Sequence, residues 1–354
     1  MKEHHPHEHD HHPPKRAPLN MMWQGIIFLA LVLVVVLLYF LITYMNKKPE
    51  NAPKPEAGLS QKNQPFSVLA PIDSGEMWHA PDMVAIPPAE KDLILYGREL
   101  IVHTSQYLGP KGRVAHLSNG MNCQNCHVNA GTVAWGNNFS ATASTYPKYR
   151  GRSGTVEDLV KRVNDCMERS LNGQVLTKDS KEMRAMLAYM LWVGQGIPKG
   201  VKPKGWGIYQ LAYMDRAANP ELGKTLYLQK CSNCHGKNGE GLLNSEDNGY
   251  TYPPLWGKNS YNIGAGMYRI ISLAGYIKAN MPFGANYRQP QLSDEEAWDI
   301  AAYVNTMERP DKNLDKDWPK IAEKPIDYPF GPYADHFSET QHKYGPYKPI
   351  LASH

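Results

Sequence analysis

Two copies of the pattern C-x-x-C-H constrain this 354-residue chain more than any other feature: Cys123-Cys126-His127 and Cys231-Cys234-His235. The pattern reads as a c-type haem attachment site. Two thiols form thioethers to the porphyrin vinyl groups, and the adjacent histidine ligates the iron from the proximal side. The chain is therefore expected to carry two covalently attached haem c groups. What lies on the far side of each iron decides its chemistry. The length leaves room for roughly two domains, and motifs 108 residues apart agree with that. A charged fraction of 20% is ordinary for a globular chain, and a net charge of +4 without a basic recognition motif speaks against nucleic acid as a partner.

Ahead of the haem regions, residues 1–22 form a polar tail with His4, His5, His7, His9, His11 and His12. Such a tract binds transition metals when its geometry is fixed and is otherwise a solvated tail. From Gly25 to Met45 the chain runs without a charge, with Trp23 and Tyr44 at its ends. About 20 apolar residues suffice to span a bilayer, and aromatic residues favour its interfaces. Residues 23–45 are therefore expected to be a transmembrane anchor in a bacterial inner membrane. Lys15 and Arg16 on one side and Lys47 and Lys48 on the other leave orientation undecided by charge. Covalent haem attachment outside the cytoplasm sets it instead: the tail inside, the haem domains in the periplasm. Residues 46–76, rich in Pro, Asn, Lys and Ser, read as a linker.

The remainder divides into a first haem domain (77–205), a second (206–310) and a Pro- and Tyr-rich extension (311–354). Helical patterns cover 93–109, 155–171 and 181–193 in the first domain, with Thr155 as N-cap of the second of these. In the second domain they cover 221–236 and 292–307, PPLWG at 253–257 is a loop, and the segment 267–284 carries a methionine before a proline. The expected class is all-α.

For the second haem the best distal ligand is Met281 in NMPFG, with Lys278 and Met267 as weaker alternatives. A thioether raises the iron's potential and suits electron transfer. The first haem has no equivalent Met-Pro. Met167, Met183, Met186 and Met190 lie on helical patterns, where methionine packs more often than it ligates. Cys166 is left over, since four of the five cysteines belong to the haem motifs. On its helix Arg162, Cys166 and Ser170 share one face at spacings of four. Arg150 and Arg152, in the loop leading to that helix, could close an anion pocket from the other side. Arginine presents a planar donor fork, and nearby positive charge lowers a thiol's pKa. A solvated helix with Glu157, Asp158, Asp165 and Glu168 interleaved is the alternative.

The segment RVNDCMERSLNG, preceded by YPKYRGRSG and a C-x-x-C-H motif with NAGT just beyond, resembles the dihaem thiosulfate dehydrogenases. The likeness covers roughly residues 77–310. It implies two class I cytochrome c domains and oxidation of two thiosulfates to tetrathionate, reversibly in some members. It also implies that His127 and Cys166 ligate a catalytic first haem, that Arg152, Arg162 and Ser170 bind sulfonate oxygens, and that His235 and Met281 hold a second haem. Electrons would pass to a small cytochrome c or a terminal oxidase. The anchor departs from soluble members. The alternative function is a non-catalytic dihaem electron-transfer subunit of a respiratory oxidase or quinol-oxidising complex.

Overall fold

The computed structural model describes residues 30–40, 76–244 and 249–353. The His-rich tail, most of the linker and the ends of the expected anchor lie outside the described residues. Residues 30–40 are helical with exposed side chains. Among the described residues no helix is long and apolar enough to cross a membrane. This overturns the transmembrane anchor expected over 23–45. With it go the membrane as a partner and the single-pass inner-membrane location.

The remaining fold is mostly helical, with two cytochrome c-like domains. Each domain is framed by a pair of crossing helices. In the first, α1 (Lys91–Val102) and α2 (Leu159–Arg169) are joined by α3 (Lys181–Val193), and α1 lies along α3. In the second, α4 (Pro220–Lys230) lies along α6 (Asp294–Thr306), with α5 (Ile270–Asn280) packed on α6. The crossings need a missing side chain at the contact. A Cβ at Gly97 would stand 2.0 Å from the Ala185 carbonyl oxygen, and one at Gly223 would stand 1.8 Å from that of Asp299.

Local chemistry explains where the helices begin. Ser180 caps α3 by accepting from Met183 N, and Asn219 caps α4 with Pro220 in its first turn. Ser293 and Glu296 form a reciprocal capping box on α6. Each cap contributes about 1 kcal/mol. Thr155 does not cap α2 as expected. It lies in β2 (Thr155–Glu157), which pairs antiparallel with β1 (Lys148–Arg150). Asp158 is the cap instead, accepting from Lys161 N at 2.8 Å. The strand pairing takes up the backbone groups that a longer helix would have used.

One apolar core gathers the helices of the first domain together with Tyr250, Tyr261, Met267, Tyr268 and Tyr276. The second core is built on α4, α5 and α6 and includes Tyr347 and Ile350 from the C-terminal extension. That extension wraps the protein rather than trailing from it. Asp327, fully buried, accepts from Ile271 N and pairs with Arg269.

Candidate active site

The first C-x-x-C-H motif opens as a single 3-10 turn whose entry is locked by reciprocal bonds between Asn122 and Asn125. Cys123 N donates to Thr104 Oγ1 at 3.0 Å. His127 directs Nδ1 to the Asn137 carbonyl and packs its ring on Phe139, centroids 4.6 Å apart. A ring whose Nδ1–H is held by a carbonyl presents Nε2 as its basic nitrogen, which suits a metal. Burial pushes His127 down to about 4, so the imidazole is neutral. Burial likewise pushes the Cys123 and Cys126 thiols up, to about 11 and about 12. A low-dielectric pocket holding two thiols and a neutral imidazole fits a covalently bound porphyrin.

That pocket is a cavity of about 330 Å³, and Cys166 lines it together with Cys123, Cys126 and His127. Helix α2 brings Arg162 and Ser170 to the same wall, and Ser170 N donates to the Cys166 carbonyl at 2.8 Å. The electrostatic influence of the neighbouring Cys166 sulfur is the first cause holding Arg162 above the ordinary arginine range. Arg150 and Arg152 also line the cavity, delivered by the hairpin between β1 and β2. All five residues read from the sequence as the chemical centre therefore share one cavity. Asp165, one of the acids interleaved on that helix, lines the same cavity.

Three further cations line it: Lys148, Arg169 and Arg269. Arg169 was legible in principle, seven residues after Arg162 on the same helical face. Lys148 adjoins the arginine loop. Arg269 comes from the second domain and carries no local signal. Most of these cations have carboxylates behind them. Glu157, 3% exposed, lies 3.8 Å from Arg150; Asp317 grips Arg169 at 2.8 and 2.7 Å; Asp327 holds Arg269. Among the described residues Arg162 and Lys148 form no carboxylate ion pair. Burial, then Arg150 and Arg162, push the Lys148 amine down to about 8. Met167, Met186 and Met190 are buried in the cavity wall, and Met183 is buried in the core. Met267, the weaker alternative for the second haem, lies in this first cavity instead.

The second motif ends α4. His235 is buried and directs Nδ1 to the Pro253 carbonyl at 2.9 Å, so the loop PPLWG orients it as Asn137 orients His127. Burial first pushes Cys231 up to about 11. The residues fit a second covalent haem. Met281 forms the C-cap of α5, and its partly buried side chain packs against both cores. Lys278 is engaged elsewhere: Nζ donates to the Leu292 carbonyl at 2.7 Å and pairs with Asp294 at 2.6 Å.

The chain is similar to known proteins. The family described as SoxA/TsdA, cytochrome c domain, matches residues 114–198, and the family described as Cytochrome c matches residues 220–308. A thiosulfate dehydrogenase of Allochromatium vinosum is 42% identical over 60% of this chain and 79% of its own length. One from Psychrobacter arcticus is 44% identical over 58% of this chain, and the match spans 61% of that relative. The solved thiosulfate dehydrogenase (TsdBA) of Marichromatium purpuratum superposes with a TM-score of 0.60 at 34% identity, covering 66% of this chain and 50% of that one. The chain belongs to the thiosulfate dehydrogenase family, as an oxidoreductase with two covalently attached haem c groups.

Proposed function

We propose that this protein joins two thiosulfate dianions into tetrathionate in the first-motif cavity and delivers two electrons, by way of the second haem, to an external acceptor such as a small cytochrome c. One observation carries the reading: the leftover Cys166 shares a cavity with His127 and a ring of cations. A plain electron carrier needs no such ring.

Bringing two thiosulfates together assembles four negative charges. Arg150, Arg152, Arg162 and Ser170 offset that repulsion by binding sulfonate oxygens in a partly desolvated site, where fixed donors act most strongly. The Cys166 thiolate is the nucleophile toward the outer sulfur of one thiosulfate. A Cys–S–S–SO₃⁻ adduct forms as two electrons leave; attack by the second thiosulfate then forms the central S–S bond, releases tetrathionate and regenerates the thiolate. When bound, two haems supply two one-electron acceptors, which matches this stoichiometry. In this reading His127 and Cys166 are the ligands of the first iron, and His235 and Met281 those of the second. Residues 77–205 form the catalytic domain and 206–310 the electron-transfer domain.

The test is steady-state thiosulfate oxidation by the haem-loaded protein with ferricyanide as acceptor and tetrathionate assayed as product. Turnover that falls by two orders of magnitude or more in Cys166→Met, with both haems still reducible, is the expected result. Unchanged turnover in that variant, or none in the wild type in either direction, overturns the reading. Mass spectrometry of the thiosulfate-treated protein should find the sulfur adduct on the peptide containing Cys166.

A further inference from the structure

The C-terminal extension lies beyond both matched cytochrome regions, the second of which ends at residue 308, yet it stands behind two arginines that line the first-motif cavity, Arg152 and Arg169. Its segment 317–323 is laid along the arginine hairpin by a series of contacts. Trp318 N donates to the Arg152 carbonyl at 2.7 Å, Pro319 sits against Gly154, and Tyr149 donates its hydroxyl to Glu323 at 2.7 Å. At the head of this segment is Asp317, its side chain 7% exposed.

Asp317 faces two guanidinium groups. Both its oxygens accept from Arg169, at 2.8 and 2.7 Å, and Arg152 Nε stands 4.0 Å away. The Gly264 carbonyl accepts from Arg152 at 3.1 Å and from Arg169 at 3.4 Å. Both arginine side chains are 12% exposed. Their Nε atoms are buried without a hydrogen-bond partner. Two buried cations thus share one carboxylate, and a net positive charge is left facing the cavity. Without the carboxylate the two guanidiniums would repel each other in low dielectric, where unpaired charge is costly. Burial and then Arg169 already push Arg152 down to about 10.

We propose that Asp317 is a positioning residue for the oxyanion site: by orienting and neutralising Arg169 from the C-terminal extension, it keeps Arg152 aimed into the cavity as a sulfonate ligand. The proposal rests on the functional reading above and deepens it. It makes the extension a support behind the first-haem site rather than a surface wrap, with Asp317 acting on substrate only through Arg152.

The experiment is calorimetric titration of tetrathionate into the fully oxidised, haem-loaded protein, which has no electrons to reduce it, with released thiosulfate assayed in parallel so that heat from exchange at Cys166 is subtracted from binding. Wild type, Asp317→Asn, Arg152→Lys and the double variant are compared, with haem content and unfolding midpoint recorded for each. Asp317→Asn should weaken binding by about tenfold or more, and the double variant should be no weaker than the worse single one, because one residue acts through the other. In turnover the same variant should raise KM for thiosulfate with kcat within threefold. Binding within twofold of wild type in Asp317→Asn overturns the proposal and leaves the functional reading standing. Losses that multiply in the double variant overturn it too, since Asp317 would then act apart from Arg152. If Asp317→Asn does not load both haems, Asp317→Glu carries the same comparison: partial, non-multiplying loss supports the proposal and unchanged binding overturns it. A wild-type protein that neither binds tetrathionate nor oxidises thiosulfate overturns the functional reading, and this proposal with it.

Discussion

Tyr276 donates its hydroxyl to the backbone carbonyl of Asn125 at 2.8 Å. Asn125 lies between the two cysteines of the first motif, and Tyr276 lies on the helix that ends at Met281. One side chain therefore ties the peptide of the first haem motif to the helix that ends at Met281, the ligand proposed for the second haem. Asn280 adds a second tie to the Trp135 carbonyl at 3.2 Å.

Removing that hydroxyl should loosen the junction between domains. Tyr276 is 7% exposed and Asn125 is half-buried, so Tyr276→Phe leaves a partly buried carbonyl without this partner. The expected loss is about 1–3 kcal/mol of stability, read by denaturant unfolding. Stopped-flow reduction should show slower exchange of electrons between the haems. Unchanged stability together with unchanged exchange would mean that the tie does no mechanical work.

Arg162 should matter more to turnover than the other cavity arginines, because no carboxylate among the described residues is paired with it. Its charge is free to be neutralised by substrate. Arg162→Gln should lower kcat/KM for thiosulfate by about 10²–10³, the usual effect of removing a donor that stabilises developing negative charge. Arg150→Gln, which loses a residue whose charge Glu157 already offsets, should cost less. A reversed order would refute this ranking.

Lys148 predicts a pH dependence. Its pKa is lowered to about 8 by burial and by Arg150 and Arg162, so the ammonium is present below that pH and is lost as pH rises through it. Affinity for a dianion should follow the charge. KM for thiosulfate should be lowest below about pH 8 and climb above it. Lys148→Gln should raise KM at neutral pH and flatten the profile, while Lys148→Arg should carry the low KM to higher pH. Initial rates measured from pH 6 to pH 10 decide the matter.

The two helix crossings predict parallel defects in stability. A methyl group at Gly223 meets the Asp299 carbonyl at 1.8 Å, and one at Gly97 meets that of Ala185 at 2.0 Å. Both neighbours are backbone, so the helices themselves must separate. Gly223→Ala and Gly97→Ala should each cost about 1–3 kcal/mol or more, seen as a lower denaturation midpoint. If haem loading falls, the deficit should appear in the domain that carries the substitution.

Much of the chemistry is legible in the chain because it is local. Each haem motif is contiguous, and Arg162, Cys166 and Ser170 share a face at helical spacing, so no tertiary knowledge is needed to group them. The capping box at Ser293 and Glu296 and the bounds of Lys181–Val193 are local for the same reason. The apolar run at 25–45 reads as a membrane span from hydropathy, which reports composition alone; among the described residues no helix is long and apolar enough to cross a membrane. The N-cap at Thr155 was misplaced because a capping residue and the end of a strand have similar extended backbones.

What the sequence determined by itself was the identity of the cofactors, their number, and the thiol and arginines set beside the first of them, since these depend on covalent motifs and periodicity along one element. Only the tertiary structure decided which other charges gather at that thiol's cavity or behind its arginines. Arg269, Asp317 and Asp327 come from segments more than a hundred residues away from Cys166, and nothing local marks them. Electrostatic interaction depends on distance in space and on exclusion of water, and neither is written in the spacing of residues along the chain.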